Sequence, residues 1–150
     1  MCIRDRATYL RCESKTGKVA VSLIMGKSRV APIKPITIPR LELTAALLSC
    51  RIATLVKKEL EMDDITETYW VDSQIVLCYL KNDTRRFKMF VANRVKEIRD
   101  HTTKDQWLYV NTKENPGDDA SRGLPIVESI EATRDQVSCI SLEKVGCWSW

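Results

Sequence analysis

The chain holds a single histidine, and its six cysteines (Cys2, Cys12, Cys50, Cys78, Cys139 and Cys147) include no C-x-x-C pair. A structural zinc site draws its ligands from closely spaced cysteines and histidines, so that class is set aside. A disulfide framework is set aside as well, because Cys50 and Cys78 lie among apolar residues of helical pattern, where a buried reduced thiol is ordinary. No apolar run approaches the ~20 residues of a membrane span. Residues 1–10 lack the uninterrupted apolar stretch of a secretory signal peptide. No repeat and no linker-like segment breaks the chain. What is present, 44% hydrophobic and 29% charged residues over 150 positions, suits one globular domain around one core. The expectation is a soluble, cytoplasmic protein with no membrane partner. Lys plus Arg exceeds Asp plus Glu by 24 to 20. That balance fits a polyanionic partner without requiring one.

Residues 1–6 show neither strand alternation nor a helix cap. Met1-Cys2-Ile3-Arg4-Asp5 also reads back into codons as a transposase end used to tag sequencing libraries, so a non-native leader is expected there. Residues 7–12 and 18–25 read as two strands with a turn between them: Val19, Val21 and Leu23 alternate with Ala20 and Ser22, and Gly17 supplies the positive φ of a hairpin turn. Pro32 and Pro35 make residues 26–38 an extended loop. Pro39 opens a helix that runs to Leu60. On it Leu41, Leu48, Ile52, Leu55 and Val56 form a sheet-facing stripe, and Glu42, Ala45, Ala46, Ser49 and Ala53 form a narrow face able to approach a sheet closely. Residues 66–71 are β-branched and aromatic, a half-buried strand, and residues from Ile75 to Leu80 form one side of a short helix. A second amphipathic helix spans residues 88–100, a strand spans 106–112, and Asn115-Pro116-Gly117 turns the chain into a brief helix stopped by Gly123. Residues 125–150 carry no sustained period and read as a poorly packed extension.

Three acids stand out: Glu42 near a helix start, Asp72 at a strand's carboxyl end, and Asp118 opening a helix. The carboxyl edge of a sheet is where ligands are bound in open α/β folds. Each acid also has a plainer use: Asp72 or Ser73 caps the following helix, and Glu42 complements a helix dipole in the first turn. Gathered at one edge, however, carboxylates repel unless cations neutralise them, and hard oxygen ligands suit Mg²⁺ or Mn²⁺. Between residues 81 and 104, Lys81, Arg85, Arg86, Lys88, Arg94, Lys96, Arg99 and Lys104 outnumber Asp83, Glu97 and Asp100. Such a face suits phosphates, and equally suits a solvated helix.

These segments resemble a known family. Arg40-Leu41-Glu42-Leu43-Thr44-Ala45-Ala46 is similar to the first-helix motif of ribonuclease H. Val71-Asp72-Ser73-Gln74-Ile75-Val76 is similar to its fourth-strand motif. Asp118-Asp119-Ala120-Ser121-Arg122 is similar to its last-helix motif, an acid followed at fixed distance by Ser-Arg. The resemblance is to the ribonuclease H domain of BEL/Pao-type LTR retrotransposon polyproteins. Gly26-Lys27-Ser28-Arg29-Val30-Ala31-Pro32, Ile38-Pro39-Arg40-Leu41-Glu42-Leu43, Phe90-Val91-Ala92-Asn93-Arg94-Val95 and the stretch from Lys113 to Gly123 carry it. It covers residues 7–124, in order and at fitting spacing.

The resemblance implies an α/β, ribonuclease H-like three-layer fold with a mixed sheet, and a nuclease that cuts RNA in RNA–DNA hybrids during reverse transcription. It assigns Glu42, Asp72 and Asp118 as catalytic ligands of two Mg²⁺ or Mn²⁺ ions, with Gln74 beside the substrate strand; Ser73 next to it, and Arg85, Arg86 and Arg94 of the basic stretch, are further candidates for substrate binding. It implies a reverse transcriptase upstream and an integrase downstream in the same polyprotein, within a cytoplasmic retrotransposon particle. The family's first strand, central in its sheet, ends in Asp-Ala-Ser and supplies a further metal ligand, and this chain holds no counterpart. Asp5 is too close to Tyr9 to replace it, and Thr112-Lys113-Glu114 stands where cellular ribonucleases H carry a late-loop histidine that His101 does not match. The chain as it stands is therefore expected to be inactive. A non-catalytic module of the same fold that positions nucleic acid is the alternative. An integrase-type recombinase orders its acids Asp, Asp, Glu, whereas Glu42 comes first here. An aspartic protease needs glycine at the position of Gln74.

Overall fold

Short-range pairing builds the two ends of the sheet. Gly17 adopts φ of 79°, the left-handed conformation that costs glycine least, and turns strand β1 (Ile3–Glu13) into strand β2 (Val19–Val30). The turn is fastened by Ser14, whose carbonyl accepts from Gly17 N at 2.9 Å and whose hydroxyl accepts from Lys18 N at 3.0 Å. Both strands are longer than the sequence pattern predicts. Residues 3–6 pair with residues 27–30, so the chain from Gly26 to Val30, read as loop, is strand. A bulge between Thr8 and Tyr9 shifts the register, and Thr8 and Tyr9 are both buried, which simple alternation does not anticipate. The computed structural model describes residues 3–14, 17–30, 36–61, 65–84, 86–111 and 140–145, with the side chains of 3–5, 28–30 and 140–145 excepted.

Helix α1 (Ile38–Glu59) carries Pro39 in its first turn, where the missing N–H costs no hydrogen bond. Its small residues Ala45, Ala46, Ser49 and Ala53 are all buried. That is the expected narrow face, and it lets the helix backbone lie close over the sheet. Strand β3 (Thr66–Val71), helix α2 (Gln74–Lys81), helix α3 (Met89–His101), a 3-10 turn at Lys104–Gln106 and strand β4 (Trp107–Tyr109) follow. The core gathers Leu43, Leu47, Ile52 and Val56 of α1 with Tyr69, Val71, Val76, Leu80, Val95, Ile98 and Trp107. Tyr69 and Trp107 stack with ring centroids 4.6 Å apart. None of the described helices is long and apolar enough to cross a membrane.

The sheet order is β2-β1-β5-β3-β4, where β5 is Ile140–Val145. It runs parallel to β1 and antiparallel to β3. Part of the extension expected to pack poorly is thus the middle strand. The physical reason is the backbone: β1 and β3 each turn an edge of N–H and C=O groups toward the gap between them, and a buried edge must be paired.

At the far end of β3 from Val71, Glu67 is buried and doubly engaged. Tyr69 Oη donates to its Oε2 at 2.6 Å, and Lys57 Nζ lies 3.1 Å from its Oε1. Burial, and then the Glu67 charge, push the nearby Cys50 thiol from an ordinary 9.0 up to about 12. Burial and the hydrogen bond to Glu67 likewise raise the Tyr69 phenol. Both groups hold their protons more tightly folded than unfolded. The Cys50 contribution is fully present below pH 9 and is lost as pH rises through about 12, and that of Tyr69 is fully present below its ordinary value of 10.0 and declines above it. The urea midpoint is expected to hold steady up to pH 9 and then to fall steadily, with Tyr69→Phe flattening the fall. A midpoint independent of alkaline pH contradicts this.

Candidate functional site

Strand β3 ends where the site begins. Val71 is buried, and its carbonyl accepts from Val110 N at 3.0 Å, so the carboxyl end of β3 is tied to the chain leaving β4. The next residue, Asp72, is half-buried. Ser73 then caps α2: its backbone is extended and its Oγ accepts from Val76 N at 3.4 Å. The same hydroxyl donates to Glu42 Oε2 at 2.5 Å. A charge-assisted O–H···O⁻ bond of that length is among the stronger neutral-to-ion contacts.

That bond brings Glu42 to the carboxyl end of β3, at the residue that follows Asp72. Glu42 itself sits one turn deeper than expected. Helix α1 begins at Ile38, its first turn contains no acid, and its cap residue Thr37 makes no side-chain cap bond. Glu42 falls instead on the face of α1 that carries Ala45, Ala46, Ser49 and Ala53, and this aims it at the sheet edge. Asp118 and Arg85 lie outside the described residues. Among the described residues no group of three Asp, Glu, His or Cys side chains is arranged to hold a metal ion. Glu42, Asp72 and the Ser73 hydroxyl offer hard oxygen only, which suits Mg²⁺ or Mn²⁺, but two carboxylates are an incomplete set.

The basic stretch divides into two kinds of residue. Arg94 is half-buried, with its guanidinium 3.5 Å from the Phe90 ring centroid, Nε donating to Thr44 Oγ1 at 3.2 Å and one terminal nitrogen donating to the Phe90 carbonyl at 3.1 Å. Burial lowers its pKa from the ordinary arginine value. Arg40 stands 5.1 Å from the same ring. Arg99 donates to the Leu80 carbonyl at 2.8 Å and to the Asn82 carbonyl at 2.7 Å, closing the end of α2. Lys104 and Arg99 both pair with Asp83. Lys81, Arg86, Lys88 and Lys96 are exposed, as is Gln74 at the first position of α2.

Sequence reasoning missed Arg40, Thr44 and Phe90 as a unit. The available signal was the four-residue spacing of Arg40 with Thr44 and of Phe90 with Arg94, which places each pair on one helix face.

No curated protein and no solved structure matches the chain. The family model of the Pao retrotransposon-like RNaseH-like domain matches residues 6–73. The matched stretch runs from β1, through the helix that carries Glu42, to the serine that grips it. Over this stretch the chain is similar to the Pao retrotransposon-like RNaseH-like domain, and the mixed α/β architecture around it is consistent with an RNase H-like fold.

Proposed function

We propose that this domain is the ribonuclease H of a retrotransposon polyprotein, which hydrolyses RNA in RNA–DNA hybrids, and that the chain as it stands is catalytically incomplete. The observation that supports the reading is the Ser73 to Glu42 hydrogen bond, because it holds Glu42 at the carboxyl end of β3, where Asp72 also lies. Glu42 and Asp72, with Asp118 from the segment after β4, are the residues to hold Mg²⁺ or Mn²⁺. Two such ions, when bound, supply an activated water and neutralise the departing oxygen of a phosphodiester. Ser73 fixes the direction of the Glu42 carboxylate. Gln74, at the exposed start of α2, and Arg86, exposed beyond its end, are the side chains proposed for the substrate strand, and Arg85 joins them by sequence.

The middle strand supports the proposed incompleteness. The antiparallel pairing of Tyr69 with Ile140 sets the start of β5 toward the Asp72 end of β3, whereas Glu143 pairs with Thr66 at the opposite end. Among the described residues, the end of β5 nearest the Asp72 end of β3 is Ile140 and Ser141, neither of which is an acid. Within the polyprotein, the partners proposed are a reverse transcriptase upstream and an integrase downstream.

The chain incubated with Mg²⁺ or Mn²⁺ and a labelled hybrid is expected to leave the RNA intact. A version extended upstream by a strand ending in Asp-Ala-Ser is expected to cleave. In that version, Asp72→Asn or Glu42→Gln should cost more than the roughly 10–100-fold that loss of an outer-shell partner costs. Cleavage by the chain alone that Asp72→Asn leaves untouched refutes the assignment. Binding of the hybrid by the extended version, with no metal-dependent cleavage, favours instead a non-catalytic module, a reading supported by the exposed Lys81, Arg86, Lys88 and Lys96.

Ser73→Ala in the extended version is expected to do two things at once. It should lower stability by about 1 kcal/mol through the lost cap and slow cleavage roughly 10–100-fold through the released Glu42. Urea titration and single-turnover rates read the two effects separately.

Arg86→Ala is expected to weaken hybrid binding and to reduce the salt slope by about 1, with the urea midpoint unchanged. Arg99→Ala should do the reverse, lowering the midpoint and leaving the slope alone. Fluorescence anisotropy across a salt series tests both.

A further inference from the structure

In the described sheet β1 is hydrogen-bonded to β2 and β5, and β3 to β4 and β5. Strand β5 is therefore the one backbone link between a hairpin on one side and a parallel pair on the other. It reaches that position late in the chain, pairing residues 141–145 with Tyr9–Glu13 of β1 and residues 140–143 with Thr66–Tyr69 of β3.

The described pairing ends at Tyr9 and Tyr69. The next residues toward the Asp72 end, Thr8 and Trp70, each hold a buried polar atom, Oγ1 and Nε1, with no hydrogen-bond partner. Each such atom costs about 1–3 kcal/mol of desolvation, so the middle of the sheet is closed at a penalty. In the described structure β5 is held in this position by its pairing with β1 and β3.

We propose that the gap between β1 and β3 is a strand-accepting site, filled here by β5 of the same chain and open to β5 of a second copy. The occupant is a second copy because the only segment whose register with both walls is established is residues 140–145. Supplied in trans, that segment makes the same pairings. Only the cost of closing the connection distinguishes the two arrangements, and for about 30 residues between β4 and β5 that cost corresponds to an effective concentration on the order of millimolar. Self-insertion therefore wins in dilute solution, and exchange is trapped when concentrated unfolded chains refold together. The inference rests on sheet topology; in the extended version of the proposed nuclease the upstream strand would compete with β5 for the same gap.

The test uses the full chain in two differently tagged versions, one with Thr68→Cys and one with Ser141→Cys. Thr68 and Ser141 are direct partners in the antiparallel pairing, and opposite Cβ atoms there lie within disulfide reach. The two versions are unfolded together, refolded over a range of concentrations, oxidised, and digested for disulfide mapping. The 68–141 link between unlike chains is expected to rise with concentration. It should exceed by about tenfold the yield of a control pair with Thr68→Cys and the exposed Ser22→Cys, since random encounter lacks the effective concentration of a shared site. A cross-chain yield no greater than the control at every concentration overturns the proposal. The double variant Thr68→Cys/Ser141→Cys, refolded dilute, must close its bond within one chain, and failure to do so with parental helix content overturns it equally. If these variants lose helix content, Arg11→Cys with Glu143→Cys poses the same question from the β1 side, with the same two outcomes.

Discussion

Backbone hydrogen bonding across the middle of the sheet is the constraint on which the other features rest. A hairpin and a parallel strand pair cannot form one sheet unless something satisfies the two inward edges, and α1 cannot bury its apolar face on two half-sheets that do not meet. Strand β5 meets the requirement, and the core then assembles on one side of it. The small residues of α1 turn that assembly to chemical use. Because Ala45, Ala46, Ser49 and Ala53 allow a close approach, a glutamate on the same face is delivered to the sheet edge and not to solvent. Fold and site are in this sense one arrangement, since the spacing that packs the helix also aims the acid.

Electrostatics separate the ends of β3 by function. At one end Glu67 is neutralised locally by Lys57 and the Tyr69 hydroxyl, a closed group with no donor set left for a ligand. At the other, the Glu42 carboxylate is held by the hydroxyl of Ser73, the residue after Asp72. The first acid is a buried carboxylate paired with a cation, and the second is held by a neutral hydroxyl. The two ends of one six-residue strand thus differ in the kind of group that engages the acid there.

Much of this was legible in the sequence wherever the determinant was local. The bounds of β3 agree residue for residue with the β-branched stretch at 66–71, and α1 begins one residue before the proline taken as its start. What sequence could not supply was pairing between distant segments. Ile140-Ser141-Leu142-Glu143-Lys144-Val145 has too brief an alternation to announce a strand, and nothing in it names β1 and β3 as its walls. The same limit governs the charges. A count of cations from Lys81 to Lys104 treats Arg86 and Arg99 alike, yet Arg86 is exposed and Arg99 closes a helix end. The meeting of Glu42 with the Asp72 edge was reached through family resemblance, because thirty residues of intervening chain carry no record of which side chains meet. The placement of Asp118 falls outside the described residues.

The Arg99 guanidinium, bonded to the carbonyls of Leu80 and Asn82 and paired with Asp83, ties the end of α2 to the body of α3. The corner between the two helices is thereby braced, and the exposed cations beyond α2 ride on a fixed frame. Lys81 and Arg86 therefore stand on either side of a buttressed joint, and one guanidinium sets how far apart the two helices hold them.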